Sequence, residues 1–178
     1  MMTKTANSTE ITGYALPLSE ATALGTQKGW RQRVLIYITR RPHELLVFDH
    51  PPRYPDAGIQ VPAGGLEAGE VPEQAALRET LEETDLILRD PVHLASYHWT
   101  RADTSQIWHY YWLQAPKDTP DTWTHVVSSG DDDQGMTFTH RFVPIEQHGL
   151  VPNYHYEEAL PELMRRLSTP QALRASSP

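Results

Sequence analysis

Short apolar runs, rich in β-branched and aromatic residues, alternate with turn-forming segments along most of the chain. Runs of this kind are typical of buried strands. They predict strands at residues 33–39, 44–48, 59–61, 92–99, 107–113, 122–127 and 136–143. An Arg-Pro-His turn separates the first two runs, so we expect these strands to form a hairpin.

Two other segments have the composition of helices. The first is predicted from Pro72 to about Thr84. Proline suits the first turn of a helix, where its missing N–H is not needed. The second covers residues 156–167, with Pro161 near its start or at a kink. Strands, a helix, more strands and a final helix predict an α+β fold, an α/β/α sandwich with a mixed β-sheet.

Length and composition fit one globular domain. The chain has 178 residues, of which 39% are hydrophobic and 21% charged. We predict a single domain over residues 13–170, between flexible tails at residues 1–12 and 171–178. No apolar signal segment opens the chain, and no run reaches the roughly 18 apolar residues of a membrane helix. A cytoplasmic protein without a membrane partner is therefore expected.

Charge and cysteine content exclude further classes of function. The net charge of −8 opposes non-specific binding to nucleic acid, which needs a basic surface, so no stable nucleic-acid partner is expected. The chain has no cysteine, which rules out disulfides and thiol catalysis.

Residues 64–86, GGLEAGEVPEQAALRETLEETDL, concentrate acidic side chains on one face of the first predicted helix. Glu79, Glu82 and Glu83 are three or four residues apart and therefore share this face. Like charges at this spacing destabilise an isolated helix, which indicates a positively charged ligand. Carboxylates, together with oxygens from the preceding turn, suit Mg²⁺ or Mn²⁺ rather than zinc.

The same segment resembles the signature of the Nudix hydrolases, G-x5-E-x7-R-E-U-x-E-E-x-G-U, where U is a bulky apolar residue. The matching positions, all in register, are Gly64, Glu70, Arg78, Glu79, Glu82, Glu83 and Leu86. Thr80 and Asp85 depart from the pattern, since an apolar residue and a glycine are usual there. A glycine just after a helix is commonly left-handed, and aspartate adopts that conformation at a cost of about 1–2 kcal/mol. We therefore expect Asp85 to lower stability rather than to remove a catalytic group.

The resemblance also implies roles for individual residues. The implied metal ligands are the backbone carbonyl of Ala63 and the catalytic carboxylates of Glu79, Glu82 and Glu83. The implied braces between the loop and the helix are Gly64, Glu70 and Arg78. The implied activity is hydrolysis of a nucleoside diphosphate linked to another group X, with Mg²⁺ or Mn²⁺ as cofactor. A homodimer is a further expectation, because members of the family often dimerise.

The general base that activates water has two candidates. Glu82 on the helix is the first. Members of the family also place the base on a loop between late strands, where this chain has Asp131, Asp132 and Asp133. A hydrophilic turn explains this aspartate run as well.

Residues outside the signature supply candidates for substrate binding. Aromatic rings stack on nucleobases, and arginines pair with phosphate oxygens. The candidates are Arg53, Trp99, Arg101, His109 and Tyr111. Alternatively, the aromatic residues and the histidine pack in the core, and the arginines lie on the surface without a ligand. A zinc site at His98, His109 and His125 is a weaker alternative, because nothing in the sequence fixes their geometry.

Two functions remain open from the sequence. The leading hypothesis is a Mg²⁺-dependent pyrophosphohydrolase with a small-molecule nucleotide diphosphate as substrate. The alternative is a catalytically weak Nudix-fold module that binds nucleotides or regulates a partner, and only Thr80 and Asp85 support it. Such modules usually lose glutamates of the signature, whereas this chain keeps them.

Overall fold

The computed structural model describes residues 11–129, 133–152 and 154–169. Its strands are β1 (Ile11–Leu16), β2 (Arg31–Thr39), β3 (Glu44–Asp49), β4 (Ile59–Gln60), β5 (Ala63–Gly65), β6 (Val92–Arg101), β7 (Thr104–Gln114), β8 (Thr122–Val126) and β9 (Thr137–Pro144). Its helices are α1 (Leu18–Lys28), α2 (Pro72–Thr84) and α3 (Leu160–Leu167), with a 3₁₀ turn at Ile145–Gln147.

These strands form one mixed sheet. Its main path runs β1-β6-β7-β2-β3-β9-β8, while β4 pairs with β3 and β5 with β2. Strand β2 is parallel to β7, and the other pairings are antiparallel. The predicted pairing of the first two strands is confirmed, with Thr39 of β2 opposite Leu45 of β3.

Helices cover both faces of the sheet. Alternate residues of β2, such as Leu35 and Tyr37, pack in the same cluster as Leu163 of α3. The residues between them, such as Val34 and Ile36, pack with the α2 alanines on the opposite face. This arrangement is the predicted α/β/α sandwich. No helix within the described residues has both the length and the apolar character needed to cross a membrane.

Helix α1 was not predicted by the sequence pattern. Its buried residues are Ala21 and Gly25, so it lacks the broad apolar stripe of a typical surface helix. A Cβ atom at Gly25 would lie 2.7 Å from the Gln32 side chain, so glycine allows the helix to approach β2 closely.

The ends of the domain also differ from the prediction. Strand β1 includes Ile11 and Thr12, which the sequence pattern assigned to a tail. The rest of that tail and the predicted tail at 171–178 lie outside the described residues. Helix α3 begins at Leu160 rather than at residue 156, and Pro161 lies in its first turn instead of at a kink.

Asp85 directly follows the last residue of α2 and has φ 63° and ψ 18°, the left-handed conformation expected just past a helix end. Because glycine adopts this left-handed conformation without steric cost, we expect Asp85→Gly to raise the free energy of unfolding by about 1 kcal/mol. That change corresponds to an increase in Tm of about 2–4 °C for a domain of this size. Thermal unfolding followed by circular dichroism checks this. An unchanged Tm with a large gain in turnover would mean that Asp85 disturbs the site instead.

Candidate active site

The loop that contains β5 lies directly against the acidic face of α2. Glu79 and Glu83 are both buried, with 5% of their surface exposed. A Cβ atom at Gly64 would lie 2.0 Å from the Glu79 carboxylate, so any other residue at this position would displace that carboxylate. The backbone N–H of Ala63 donates a hydrogen bond to Oε2 of Glu83, at 3.3 Å. Two carboxylates are thus held against the backbone of the glycine turn.

Arg78 joins this turn to the helix. Its Nε and Nη2 donate to the two carboxylate oxygens of Glu70 at 2.9 and 2.8 Å, and Nη2 also donates to the Gly65 carbonyl at 2.8 Å. Its Nη1 donates to Glu79 at 2.8 Å and to Glu82 at 3.0 Å. The hydrogen bond from Arg78 is the main reason that the pKa of Glu70 is lowered. The structure therefore brings Glu70 and Arg78 together between the glycine turn and α2.

The electrostatics of the site favour a bound cation. Burial raises the pKa of the Glu83 carboxyl well above its usual range, and the negative charge of Glu79 raises it further. The hydrogen bond from Ala63 only partly opposes this effect. A divalent cation beside the two carboxylates would offset their charge and stabilise the ionised form.

The donor atoms fit Mg²⁺ or Mn²⁺, because carboxylates are hard oxygen ligands. Within the described residues, no three acidic or histidine side chains already surround one point at which a metal could be held. Instead, Glu79 and Glu82 share Nη1 of Arg78. Joint ligation of a metal by Glu79, Glu82 and Glu83 would therefore require movement of these side chains.

A cavity of about 540 Å³ lies in front of the buried carboxylates. Arg31 and Arg33 at the start of β2 line it together with Asp133. The negative charge of Asp133 contributes to the raised pKa of Glu83, so this aspartate lies near the carboxylates. The other two residues of the predicted acidic run, Asp131 and Asp132, lie outside the described residues.

A second cavity, of about 330 Å³, adjoins the first through Arg33, which lines both. Its remaining lining residues are Trp99, Arg101, Thr104, Gln106, Trp108, Tyr154 and Tyr156. The Arg33 guanidinium lies 5.6 Å from the centre of the Trp108 ring. Nε of Arg33 and Nε1 of Trp99 are buried, and neither has a hydrogen-bond partner in the described part of the chain. A pocket lined by aromatic side chains therefore adjoins the acidic cavity.

Trp99 and Arg101 are thus the two substrate-binding candidates from the sequence that line a cavity beside the carboxylates. Trp99 stacks on Tyr97, at a centroid distance of 5.1 Å, and on His155, at 3.9 Å. The Trp99 ring therefore forms a wall of the pocket, because Tyr97 and His155 already stack on it.

The structure places the other three candidates elsewhere. His109 is fully buried and hydrogen-bonds to Ser96 and Gln32, at 2.8 and 3.0 Å, and burial lowers its pKa to about 3. Tyr111 is fully buried in the cluster that packs under α2. Arg53 is exposed and lies over the Tyr54 ring. None of these three lines either cavity in the described residues.

The weaker zinc hypothesis is not supported by the geometry. His98 stacks on Trp30 at 4.5 Å, whereas His125 hydrogen-bonds to the backbone carbonyl of Glu82. Across residues 11–129, 133–152 and 154–169, no cluster of this kind is placed to hold a metal.

Sequence reasoning missed Arg31 and Arg33. Both precede the apolar part of β2, and charged residues at the start of an otherwise buried strand are the one signal that could have indicated them. Their position at the cavity depends on the pairing of β2 with β5, which places Arg33 opposite Gly65.

Comparison with known proteins gives a family and a fold. The model of the NUDIX domain matches residues 29–167, which is more than half of the chain. The NAD-capped RNA hydrolase NudC of Haemophilus influenzae is 35% identical over 75 residues, which are 41% of this chain and 28% of that protein. The RNA pyrophosphohydrolase of Mannheimia succiniciproducens is 40% identical over 74 residues, covering 41% of this chain and 36% of that protein. The match therefore spans about a third of the length of these curated relatives.

Solved structures support the same fold. A NUDIX hydrolase from Nitrosomonas europaea superposes with a TM-score of 0.55 and 23% identity, covering 77% of this chain and 90% of that one. The Bacillus subtilis pyrophosphohydrolase BsRppH gives a TM-score of 0.57 and 17% identity, covering 93% of this chain and 96% of that one. At these identities the likeness concerns the fold alone.

Proposed function

The chain belongs to the NUDIX family, and from this premise we propose that it is a Mg²⁺- or Mn²⁺-dependent pyrophosphohydrolase. Its substrate is a nucleoside diphosphate linked to another group X. The observation that carries the proposal is the buried pair Glu79 and Glu83, held against the glycine turn at one wall of the 540 Å³ cavity.

The residues that would hold the metal are Glu79 and Glu83, with Glu82 and the Ala63 carbonyl as further ligands. A cation held by these residues would neutralise charge on the phosphate oxygens and would make an attacking water more acidic. Arg78 keeps the helix and the glycine turn together, so that the carboxylates stay in place while the substrate binds and leaves.

The remaining steps use side chains of the cavity. Arg31 and Arg33 bind phosphate oxygens, because guanidinium groups pair with phosphate through two parallel hydrogen bonds. Water attacks one phosphorus atom, and the phosphoanhydride P–O bond breaks. The proton of the water passes to Glu82 or, as second candidate, to Asp133. The products are two phosphate-bearing fragments and one proton.

The adjoining 330 Å³ pocket supports a nucleotide substrate. Its aromatic walls suit a nucleobase, and Arg33 lies between this pocket and the acidic cavity. A base in the second pocket would therefore place its phosphates at the first. The net charge of −8 favours a small nucleotide over a long RNA. A cytoplasmic location and a homodimer remain predictions from the sequence.

The test is product release from a panel of substrates, measured with Mg²⁺, with Mn²⁺ and with EDTA. The panel contains nucleoside triphosphates, ADP-ribose, sugar nucleotides, dinucleoside polyphosphates, coenzyme A, NAD and a short RNA with a 5′ triphosphate. We expect strong turnover of one small nucleotide and complete loss of turnover with EDTA. Absence of turnover across the panel, while Mg²⁺ still raises Tm, would favour a binding module and contradict the proposal.

A further inference from the structure

The C-terminal end of α2 presents backbone carbonyls that the helix itself does not use. The carbonyl of Leu81 accepts a hydrogen bond from the backbone N–H of Asp85, the residue that follows the helix, at 3.0 Å. The next three carbonyls belong to Glu82, Glu83 and Thr84. Such carbonyls at a helix end must find other donors. Here two of them belong to residues that carry the carboxylates of the site.

Three side chains from β8 and β9 supply these donors. Nε1 of Trp123 donates to the Thr84 carbonyl, Nε2 of His125 to the Glu82 carbonyl, and Nε2 of His140 to the Glu83 carbonyl, each at 2.9 Å. We call Trp123, His125 and His140 the α2 clamp. A carbonyl only accepts, so each histidine of the clamp must carry its proton on Nε2.

Packing within the sheet holds the side chains of the α2 clamp in place. His140 is fully buried and stacks on Trp123 with ring centroids 4.9 Å apart. The backbone N–H of Ser128, just after β8, adds a bond of 3.2 Å to the Glu82 carbonyl. This bond ties the helix end to the segment that leads to Asp133.

We propose that the α2 clamp positions the metal-binding carboxylates by fixing the last turn of α2. Helix ends fray more easily than helix centres, and Glu82 and Glu83 lie in that last turn. A donor at each carbonyl holds the two residues in the helical conformation and so sets the direction of their carboxylates. The inference rests on the proposed function, because it assumes that these carboxylates bind metal.

Removal of one donor should weaken metal binding without removing any ligand. Trp123→Phe and His140→Phe keep a ring in place but lose the N–H, and His140→Gln offers a donor again. We expect each phenylalanine variant to bind Mn²⁺ about 10-fold more weakly, as is typical when a partner of a ligand is lost. His140→Gln should regain most of the affinity. Isothermal titration calorimetry of Mn²⁺ with the full chain measures this without any substrate.

Trp112→Phe is the matched control for Trp123→Phe. Its Nε1 donates to Oγ1 of Thr39 at 2.8 Å, so the variant also loses one indole hydrogen bond from a partly buried ring. It lies in β7, and it lines neither of the two cavities described above. We expect wild-type Mn²⁺ affinity in this variant.

Several outcomes would overturn the inference. Unchanged Mn²⁺ affinity in both phenylalanine variants, with only a lower Tm, would show that the clamp merely stabilises the fold. An equal loss of affinity in Trp112→Phe would show that metal binding follows global stability instead. If the wild-type chain binds Mn²⁺ and hydrolyses a nucleotide, the proposed function is supported even when the variants contradict the role of the clamp. A wild-type chain that binds no Mn²⁺ would refute both proposals.

Discussion

Replacement of Glu83 by glutamine is expected to lower kcat by about 100-fold or more while the fold survives. The carboxylate is buried beside Glu79 at the wall of the acidic cavity, and the amide removes its charge without a large change in shape. A metal ligand contributes to stabilisation of the transition state, and losses of this size are typical when such a group is removed. Steady-state kinetics with saturating Mg²⁺ measures the effect.

Stability should separate this result from unfolding. Because burial and Glu79 disfavour the charged form of Glu83, the neutral amide should leave Tm in EDTA unchanged or higher. The increase in Tm that Mg²⁺ causes in the wild type should be lost in the variant. Glu162→Gln in α3 is the control, because it makes the same change of charge on another helix. Wild-type turnover in Glu83→Gln would refute the assignment of this glutamate.

Replacement of Arg78 by glutamine is expected to produce the second largest effect. Arg78 donates to Glu70, Glu79, Glu82 and the Gly65 carbonyl, so its loss separates the glycine turn from the helix. We expect kcat/KM to fall by about 100-fold, at the upper end for residues that orient metal ligands. The free energy of unfolding should fall by about 2 kcal/mol, because hydrogen bonds to charged groups are lost.

Arg78→Lys distinguishes charge from geometry. Lysine keeps the positive charge but cannot form the two parallel bonds to Glu70. We expect this variant to lose less activity than Arg78→Gln, although it should remain well below the wild type. Urea unfolding and steady-state kinetics on both variants give the comparison. If the lysine variant has full activity, the charge alone is sufficient and the bidentate contact is unimportant.

Local sequence patterns predicted the parts of the molecule that depend on local chemistry. The spacing of Glu79, Glu82 and Glu83 predicted one helical face, and the structure places two of these side chains against the glycine turn. The start of α2 at Pro72 and the left-handed residue just past its end were also predicted from the sequence, because both follow from backbone sterics. Helix α1 was not, since its packing depends on a small buried contact at Gly25 rather than on an apolar stripe.

Side-chain direction in the sheet was harder to predict. Both faces of β2 and β7 are buried, so these strands read as continuous apolar runs without an alternation that distinguishes the faces. A shift of one residue exchanges the two faces of a strand. For this reason the sequence predicted His109 and Tyr111 of β7 as substrate-binding residues beside Trp99. Trp99 lines a cavity, whereas His109 and Tyr111 are buried away from both cavities. Arg33 was missed because its neighbours come from distant parts of the chain.

The parallel pairing of β2 with β7 has a consequence for synthesis of the protein. Residues 31–39 leave the ribosome long before residues 106–114, to which they pair. At about 5–20 residues per second, the edge of β2 that faces β7 waits several seconds for its partner strand. Helix α2 then still lacks the donors of its last turn, because β8 and β9 are made later again. The acidic site is therefore among the last parts of the nascent chain to become ordered, and earlier chain lengths expose the apolar strand β2 to chaperones and proteases.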